Sequence, residues 1–547
     1  SAASIQLQAG QQSRGGKPEG ATNDIGELAQ AAVPIINTVA QLSSAALEKP
    51  LTLKHSMPMQ PSLQRTFANG KGVDTSKTLT LAPAAQVAPF PGKFGSAQNE
   101  MTIDYIKSTP SYLDQFEWKT SDAANKSLWY ASVSPSYLPE NFKDKKDTAK
   151  PTTLAFLSTA FKYWQGDLVY TFKFVKTGYH SGRVRLIFIP GAFPSNKLSY
   201  DPDKCYSTVL DLREKAEFEI QIPYVNSTPW ERVEDTQGYG SFGSKGIGVL
   251  VVEVLNELIA PGITSNDITC LVEIRAGDNF TLAFPTAPGW IPISSDPKPV
   301  TFAEAIQLQA YDEAVTRDAA QEHTDAPEKL FESSLTHTEN CSEKYCIGEQ
   351  VQSIKSLLMR FNYLDDYTWK DFLMMPWFAN SSTDDGITDT NSRRWGDYYS
   401  YFSSIFAFQC GSMRVKLVNT EDKPPRAFVT MQPETRVPDE ITKAARSYGL
   451  SGDEHFNPFP RTICYPNKEG AIEVEVPFYS QTYATMTTTN RPKLPLPDDP
   501  SNWKGQGLQV EFYTDPGKYI AYRAVGDDFE FGYLVGAPRL AKVHRNF

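Results

Sequence analysis

The sequence predicts an all-β protein of two tandem eight-stranded jelly-roll sandwiches, with an extended N-terminal arm and short helices. Proline accounts for 39 of 547 residues, about 7% against a usual share near 5%, which favours turns and strand edges over long helices. Several runs alternate apolar and polar residues with the period of two that a half-buried strand requires. One order of strand motifs also occurs twice, about 250 residues apart.

The first 48 residues predict a helical segment. Residues 24–27 (DIGE) have the shape of a capping box, and apolar residues follow at helical spacing up to Leu42. Pro34 interrupts this pattern, so we expect two short helices rather than one. The segment could pack against a neighbour or act on a membrane, and the lack of Lys and Arg on its polar face favours packing.

Residues 49–110 predict an extended arm, because six prolines between positions 50 and 91 exclude long helices. Residues 111–300 predict the first sandwich. Within it, Leu168, Tyr170, Phe172 and Phe174 alternate with residues of the opposite sheet face. Strands are predicted at 128–133, 167–176, 183–190, 218–223, 247–258 and 268–278, with a short helix at 153–163.

Residues 301–346 predict an acidic, helix-compatible and partly flexible connector, and residues 347–547 predict the second sandwich. A helix is expected from 348 to 361, because apolar residues between Val351 and Phe361 share one face. Strands are expected at 399–408, 412–419, 426–431, 472–477, 508–514 and 519–524.

Two pairs of motifs carry the internal repeat. Residues 219–224 (EIQIPY) resemble residues 473–478 (EVEVPF), and residues 275–280 (RAGDNF) resemble residues 523–529 (RAVGDDF). Because both pairs occur in the same order, two copies of one β-domain of about 200 residues explain them best. A shorter repeat, IQLQA at 5–9 and again at 306–310, is either chance or a pair of sites for one processing protease.

Composition and motif spacing argue against several classes of protein. The net charge of −11 argues against a generic cation-driven nucleic-acid binder, and no run of 18 apolar residues is present. The glycine pattern at 238–243 precedes a predicted strand rather than a helix, which disfavours a dinucleotide site. We therefore predict a protein that is not an enzyme and that has no cofactor.

Metal and thiol chemistry is equally unsupported by the sequence. The six histidines are scattered and lack the His-x-His set of a cupin-type metal centre. The six cysteines include no CxxC pair, so free thiols in a reducing compartment are expected. Neither an initiator Met nor a signal-peptide pattern is present, so we expect a chain cut from a longer precursor or trimmed.

Four segments carry a resemblance to a known family. They are residues 70–106, with GKGVDTSKTLTL and FGSAQNEMTIDYI, residues 161–191 (FKYWQGDLVYTFKFVKTGYHSGRVRLIFIPG), residues 347–361 (IGEQVQSIKSLLMRF) and residues 526–538 (GDDFEFGYLVGAP). Together they resemble the capsid polyprotein of picorna-like viruses, and most of all that of the insect dicistrovirus type. The resemblance extends over nearly the whole chain.

The resemblance implies a function and partners. It implies a structural protein that assembles with a third jelly-roll capsid protein into an icosahedral, non-enveloped shell around an RNA genome. The implied location is the virion, with assembly in the host cytoplasm. Inner arms would contact RNA weakly and without sequence specificity, and only the N-terminal helical segment could contact a membrane. The alternative is a cellular two-domain β-sandwich binding protein or hydrolase.

The resemblance also implies a candidate site. Residues 1–48 resemble the internal capsid peptide of that family, which makes Glu48 and Lys49 the candidate cleavage junction. The family's Asp-Asp-Phe motif matches Asp527, Asp528 and Phe529, and it is associated with the maturation cut that frees this peptide.

Two interpretations of the Asp-Asp-Phe motif stay open. Two neighbouring carboxylates repel each other, so one can hold a proton while its partner acts as a base, with Phe529 structural. Alternatively, the aspartates cap a turn and Phe529 fills the core. The matching place in the first sandwich reads Asp278-Asn279-Phe280, so the turn can exist without a second carboxylate.

Overall fold

The computed structural model describes residues 77–80, 94, 98–139, 143–144, 148–192, 200–233, 246–292, 328–330, 351–367, 371–374, 377, 397–420, 427–432, 461–464, 471–479, 483–487, 509–514 and 518–542. The predicted segment 1–48 and most of the predicted arm and connector lie outside these residues. Within them the helices are α1 (Ile103–Ser108), α2 (Thr153–Ser158), α3 (Ile354–Leu358) and α4 (Tyr398–Phe402), with 3-10 turns at Pro202–Lys204 and Ser403–Ile405.

Strands make up most of the described chain. Before residue 300 they are β1 (Lys77–Thr78), β2 (Ser111–Lys119), β3 (Ser127–Ser132), β4 (Lys143–Asp144), β5 (Thr148–Ala149), β6 (Phe161–Gln165), β7 (Leu168–Val175), β8 (Ser181–Pro190), β9 (Tyr206–Asp211), β10 (Glu217–Ile222), β11 (Glu231–Arg232), β12 (Gly248–Ile259), β13 (Asp267–Ala276), β14 (Thr281–Pro285) and β15 (Trp290–Pro292).

After residue 300 the strands are β16 (Glu328–Lys329), β17 (Asn362–Tyr367), β18 (Asp371–Met374), β19 (Phe406–Cys410), β20 (Met413–Asn419), β21 (Ala427–Gln432), β22 (Arg461–Cys464), β23 (Ile472–Val476), β24 (Thr485–Met486), β25 (Gln509–Thr514), β26 (Tyr519–Val525), β27 (Glu530–Leu534) and β28 (Leu540–Lys542).

The first sandwich consists of two sheets of four antiparallel strands. One sheet has the order β10-β7-β13-β2, and the other has the order β3-β12-β8-β9. Their inner faces meet through aromatic rings. The ring centroid of Trp129 on β3 lies 6.3 Å from that of Phe116 on β2 and 5.9 Å from that of Phe172 on β7. Burial of these alternating apolar residues is the main force that holds the two sheets together.

The second half repeats this strand order. One sheet has the order β23-β20-β26-β17, and the other has the order β18-β25-β21-β22. The repeated motifs therefore occupy equivalent strands, since EIQIPY forms β10 and EVEVPF forms β23. The prediction of an all-β fold and of an internal repeat is confirmed. The domain boundaries at 48, 110, 300 and 346 stay predictions.

The two halves exchange arms. Strand β1 precedes the first sandwich and pairs in parallel with β23 of the second, whereas β16 precedes the second sandwich and pairs in parallel with β10 of the first. The register is the same in both, because Leu79 N–H donates to Glu475 O at 2.9 Å and Leu330 N–H donates to Gln221 O at 3.1 Å. Each arm thereby covers one sheet edge of the other half, which removes an exposed pairing surface.

Two helix starts meet between the halves. Ile103 N–H donates to Gln352 O at 2.9 Å, and Ile354 N–H donates to Met101 O at 3.0 Å. This reciprocal pairing places the first residue of α1 beside the first residue of α3. Deeper in the contact, the rings of Phe156 on α2 and Tyr401 on α4 stack at 4.2 Å. Apolar side chains of both halves thus belong to one continuous core.

Two predicted helices are shorter than expected. The helix predicted at 153–163 ends at Ser158, because residues from Phe161 form β6, which pairs with β14 and β11. Of the helix predicted at 348–361, the described residues 351–361 are helical only at Ile354–Leu358, where the hydroxyl of Ser353 accepts the Lys355 N–H. In both places a backbone partner from a distant segment ends or delays the helix that the local pattern favours.

The strand predicted at 399–408 is wrong in its first half. Residues Tyr398–Phe402 form α4 and a 3-10 turn follows, so that the strand begins only at Phe406. Asp397 starts the helix, since its carboxylate accepts the Ser400 N–H at 3.0 Å. The aromatic run in this segment is typical of a strand, but its cap makes it helical.

The arginines of the repeated motif are not equivalent. In the sheets, Ala276 pairs with Leu168 as Val525 pairs with Met413, so that Arg523 is one position farther from the turn than Arg275. A shift of one residue turns a side chain to the opposite face of a strand. Arg275 is accordingly partly exposed beside Glu219, whereas Arg523 is buried.

Candidate functional site

The Asp-Asp-Phe motif forms a tight turn between β26 and β27. Gly526 N–H donates to Ser412 O at 2.8 Å, and Phe529 N–H donates to Gly526 O at 3.2 Å. The carboxylate Oδ1 of Asp528 accepts the Ser412 N–H at 2.9 Å and also contacts the Ser412 hydroxyl. The second aspartate therefore holds the turn against the start of β20.

Phe529 anchors the same turn in the core. Its side chain is fully buried, with ring centroids 4.8 Å from Phe531 and 5.9 Å from Tyr399. Gly411 makes this packing possible, because its φ is +102° and a Cβ there would lie 2.3 Å from the Phe529 Cα.

Asp527 points to the outside of the turn. Its Oδ1 lies 3.0 Å from a guanidinium nitrogen of Arg414, and its side chain is 41% exposed. Its backbone carbonyl accepts a hydrogen bond from the Lys355 ammonium at 2.6 Å. Of the two aspartates, Asp527 is the one whose carboxylate faces solvent, beside the Arg414 guanidinium.

A third carboxylate lies behind the turn. Glu475 of β23 accepts a hydrogen bond from the Ser412 hydroxyl at 3.0 Å, and its other oxygen lies 3.5 Å from the Arg414 Nε. The Ser412 hydroxyl thus lies between Glu475 and Asp528, and its single proton can be donated to only one of them at a time. The arrangement is a cluster of three carboxylates and two cations around one turn.

The first sandwich contains the same turn with different chemistry. Asn279 Oδ1 accepts the Asp167 N–H at 3.0 Å, as Asp528 accepts the Ser412 N–H. Gly166 has a φ of +109°, and Lys107 donates to the carbonyl of Asp278 at 2.9 Å. An amide therefore does in one half what a carboxylate does in the other, so the negative charge of Asp528 is not required for the turn.

This equivalence predicts different outcomes for two substitutions of Asp528. Asp528→Ala leaves the Ser412 N–H without its acceptor, and we expect it to destabilise the second sandwich by about 1–2 kcal/mol. Asp528→Asn keeps an acceptor oxygen, as at Asn279, and should change the stability by less than about 0.5 kcal/mol. Melting temperatures from calorimetry of the full chain measure both. Equal shifts for the two variants would contradict the capping role.

The structure brings together some predicted site residues and not others. Asp527, Asp528 and Phe529 lie in one turn, whereas the junction at Glu48 and Lys49 lies outside the described residues. Sequence reasoning missed the surrounding partners Ser412, Arg414, Glu475 and Lys355. Ser412 could have been found, because it follows Gly411 as Asp167 follows Gly166.

The described residues also bear on metal binding, membrane spans and thiols. No cluster of metal-ligating side chains occurs among the described residues. None of the helices within those same ranges is long and apolar enough to cross a bilayer. Cys205 and Cys270 are free thiols, and burial raises the pKa of the Cys270 thiol. The glycine pattern at 238–243 lies outside the described part of the chain.

Family models match both halves of the chain. A model described as picornavirus capsid protein matches residues 112–253, and one described as CRPV capsid protein like matches residues 338–545. The structural polyprotein of Cricket paralysis virus is 30% identical over 549 residues, covering 88% of this chain and 60% of the polyprotein. The structural polyprotein of Acute bee paralysis virus is 26% identical over 576 residues, covering 95% of this chain and 59% of the polyprotein.

Two chains from solved structures are also similar to this one. A chain from the structure of black queen cell virus is 33% identical, with a TM-score of 0.38, covering 46% of this chain and 100% of that one. A chain from the Triatoma virus empty capsid is 29% identical, with the same TM-score and the same coverage.

The repeated strand order and the twice-built turn define a tandem jelly-roll protein. Together with this fold, the two family models and the polyprotein relatives identify the family. The chain belongs to the capsid proteins of picorna-like viruses. It spans about three fifths of the length of the two polyproteins.

Proposed function

We propose that this chain is a structural capsid protein that assembles with a further jelly-roll capsid chain into an icosahedral, non-enveloped shell enclosing an RNA genome. Family membership and the tandem jelly rolls support this function. Closed symmetric assembly lets many copies of one surface be buried without open-ended growth.

One end of the first sandwich supports contact with other subunits. The loop at 176–180 and the loop at 260–266 lie together there, because His180 Nε2 donates to Ser265 O at 2.9 Å. They carry large apolar side chains that face solvent, with Tyr179 68% exposed and Ile263 89% exposed. Clustered apolar side chains at a surface are typical of protein–protein interfaces.

The assembly proposal is tested by sizing. Co-expression of the full chain with the remaining capsid chain should give large closed particles in sedimentation velocity. Ile263→Asp and Tyr179→Asp should each lower the particle yield about tenfold, since one buried charge at a repeated contact removes more than 1.4 kcal/mol. Their melting temperatures should match that of the unsubstituted chain. A monomer or dimer with measurable turnover would instead support the cellular binding protein or hydrolase.

We further propose that the chain undergoes one maturation self-cleavage at the junction of Glu48 and Lys49, promoted by Asp527 and Asp528. Water adds to the carbonyl carbon of Glu48, the bond to the Lys49 nitrogen breaks, and the proton removed from water passes to that nitrogen. The exposed carboxylate of Asp527 supports a role as the base, while the bonded carboxylate of Asp528 supports a positioning role.

The cleavage is tested by intact-mass measurement of particle protein. Asp527→Asn should leave the peptide of residues 1–48 attached, because an amide cannot accept the proton from water. Asp528→Asn keeps the turn, so that any loss of cleavage in this variant reports on charge rather than on folding. Normal release of the peptide in both variants would contradict the proposal.

The remaining partners follow from the family proposal. Scattered basic residues of the inner arms would neutralise a few RNA phosphates without reading bases. They are Arg14, Lys17, Lys49, Lys54, Arg65 and Lys71, and all lie outside the described residues. Assembly would take place in the host cytoplasm, and any membrane contact would fall to the helical segment 1–48.

A further inference from the structure

An aromatic residue of the N-terminal arm docks on the second sandwich. The ring of Phe94 stacks with Phe408 of β19 at 6.4 Å and 19°. It lies flat against Gly532 of β27, where a Cβ would be 2.2 Å from the ring. Tyr533 borders this site, with its ring edge-on to Phe408 at 6.3 Å. Phe408, Gly532 and Tyr533 form what we call the second platform.

The first sandwich has an equivalent surface. Tyr163 pairs with Ala283 across β6 and β14, as Phe408 pairs with Gly532 across β19 and β27. Phe284 occupies the position equivalent to that of Tyr533, and its ring is edge-on to that of Tyr163, with the centroids 6.3 Å apart. The ammonium of Lys162 lies 5.5 Å from the Tyr163 ring centroid and 5.2 Å from that of Phe284. Lys162, Tyr163 and Phe284 form the first platform.

Both platforms hold an aromatic residue in a strained conformation. Phe284 has a φ of +61° and Tyr533 has a φ of +63°, in the left-handed region that bulky residues avoid. Such a conformation costs on the order of 1–3 kcal/mol and persists where the surroundings demand it. Phe284 is nevertheless 52% exposed. A strained and exposed aromatic at two equivalent positions indicates a surface built for contact.

The two arms are anchored at equivalent residues of the two halves. Leu79 and Leu330 donate to equivalent carbonyls of β23 and β10, and Ile103 and Ile354 begin the two helices that meet. From Leu79 to Ile103 is 24 positions, and from Leu330 to Ile354 is also 24 positions. The same length of chain therefore connects the same two anchors in each half.

The equal spacing identifies the counterpart of Phe94. Phe94 lies 15 positions after Leu79, and the residue 15 positions after Leu330 is Tyr345. Both aromatics follow a lysine, at positions 93 and 344. Tyr345 lies in the segment 331–350, outside the described residues.

We propose that the segment around Tyr345 docks on the first platform, with the Tyr345 ring against Tyr163 and Phe284. The fit differs in two respects from that of Phe94. Ala283 carries a methyl group where Gly532 has no side chain, so the ring would lie farther from the strand. Lys162 replaces Ala407, which adds a cation beside the aromatic faces. The docking concerns packing within one chain and does not depend on the proposed cleavage.

Photochemical cross-linking of the full chain tests this docking. Benzoylphenylalanine at position 94 should link to residues 406–410 or 530–534 and serves as the control. At position 345 it should link to residues 161–165 or 281–285 of the same chain. A link from position 345 to another region or to a second copy overturns the proposal. So does the absence of a link when position 94 links as expected.

A double-mutant cycle gives a second readout. Phe284→Asn removes the ring while tolerating the left-handed backbone, and Tyr345→Ser removes the proposed partner. If the rings touch, the two shifts in melting temperature should sum to clearly more than the shift of the double variant. Phe94→Ser combined with Phe284→Asn should be additive, because Phe94 belongs to the other platform. Additive shifts for positions 284 and 345 would overturn the docking.

Discussion

Replacing Arg523 with Met should destabilise the second half by about 3–5 kcal/mol, because it leaves a buried carboxylate without its counter-ion. Arg523 and Asp397 are each 1% exposed, with the Arg523 Nε 2.7 Å from Oδ2 and a terminal nitrogen 2.6 Å from Oδ1. The guanidinium also lies 4.3 Å above the Tyr399 ring. Calorimetry of the full chain should show a melting shift on the order of 10 °C.

A matched control exists in the other half. Arg275 is 20% exposed and its Nε lies 2.9 Å from Glu219, which is 29% exposed. Arg275→Met should therefore change stability by less than about 1 kcal/mol. Adding Asp397→Asn to Arg523→Met should recover part of the loss, since Asn still caps α4 without a buried charge. Equal effects of the two arginine substitutions would contradict the burial argument.

Gly411→Ala should be still more damaging, with a loss above about 4 kcal/mol. The φ of +102° disfavours any side chain, and the new Cβ would lie 2.3 Å from the Phe529 Cα and 2.5 Å from the Asp528 carbonyl oxygen. These neighbours are backbone atoms held by the Ser412 hydrogen bonds, so that they cannot move aside. We expect little soluble chain at 37 °C, measured as yield after expression.

Substitutions at two other glycines serve as comparisons for Gly411→Ala. Gly166→Ala should be equally damaging, because its Cβ would lie 2.5 Å from the Phe280 Cα at the equivalent turn. Gly178→Ala should change the yield little, since nothing lies within 4 Å of its Cβ. A soluble Gly411→Ala chain that melts within 2–3 °C of the unsubstituted one, roughly 1 kcal/mol, would show that the turn can relax.

Local patterns predicted most strands of the two sandwiches but missed β2, β9, β17, β18 and β22, and they predicted the helices poorly. The alternation from Leu168 to Phe174 was enough to predict β7, because a period of two is contained within a single strand. The structure in fact buries both faces of this strand from Leu168 to Phe172. Residues Tyr398–Phe402 are also rich in aromatic side chains, but they form a helix. Its cap, Asp397, is held by Arg523, which lies 126 positions away in the sequence. No local window contains that contact.

The motifs and their order were sufficient to establish an all-β chain with an internal repeat, because strand periodicity and turn residues act over short stretches. Local patterns could not predict three features. These are the strand face on which Arg523 lies, the exchange of arms at β1 and β16, and the carboxylate cluster around Asp528. Each depends on register or on partners more than 50 residues distant along the chain. Packing selects among such long-range pairings after the local elements have formed, so the fold is needed to locate them.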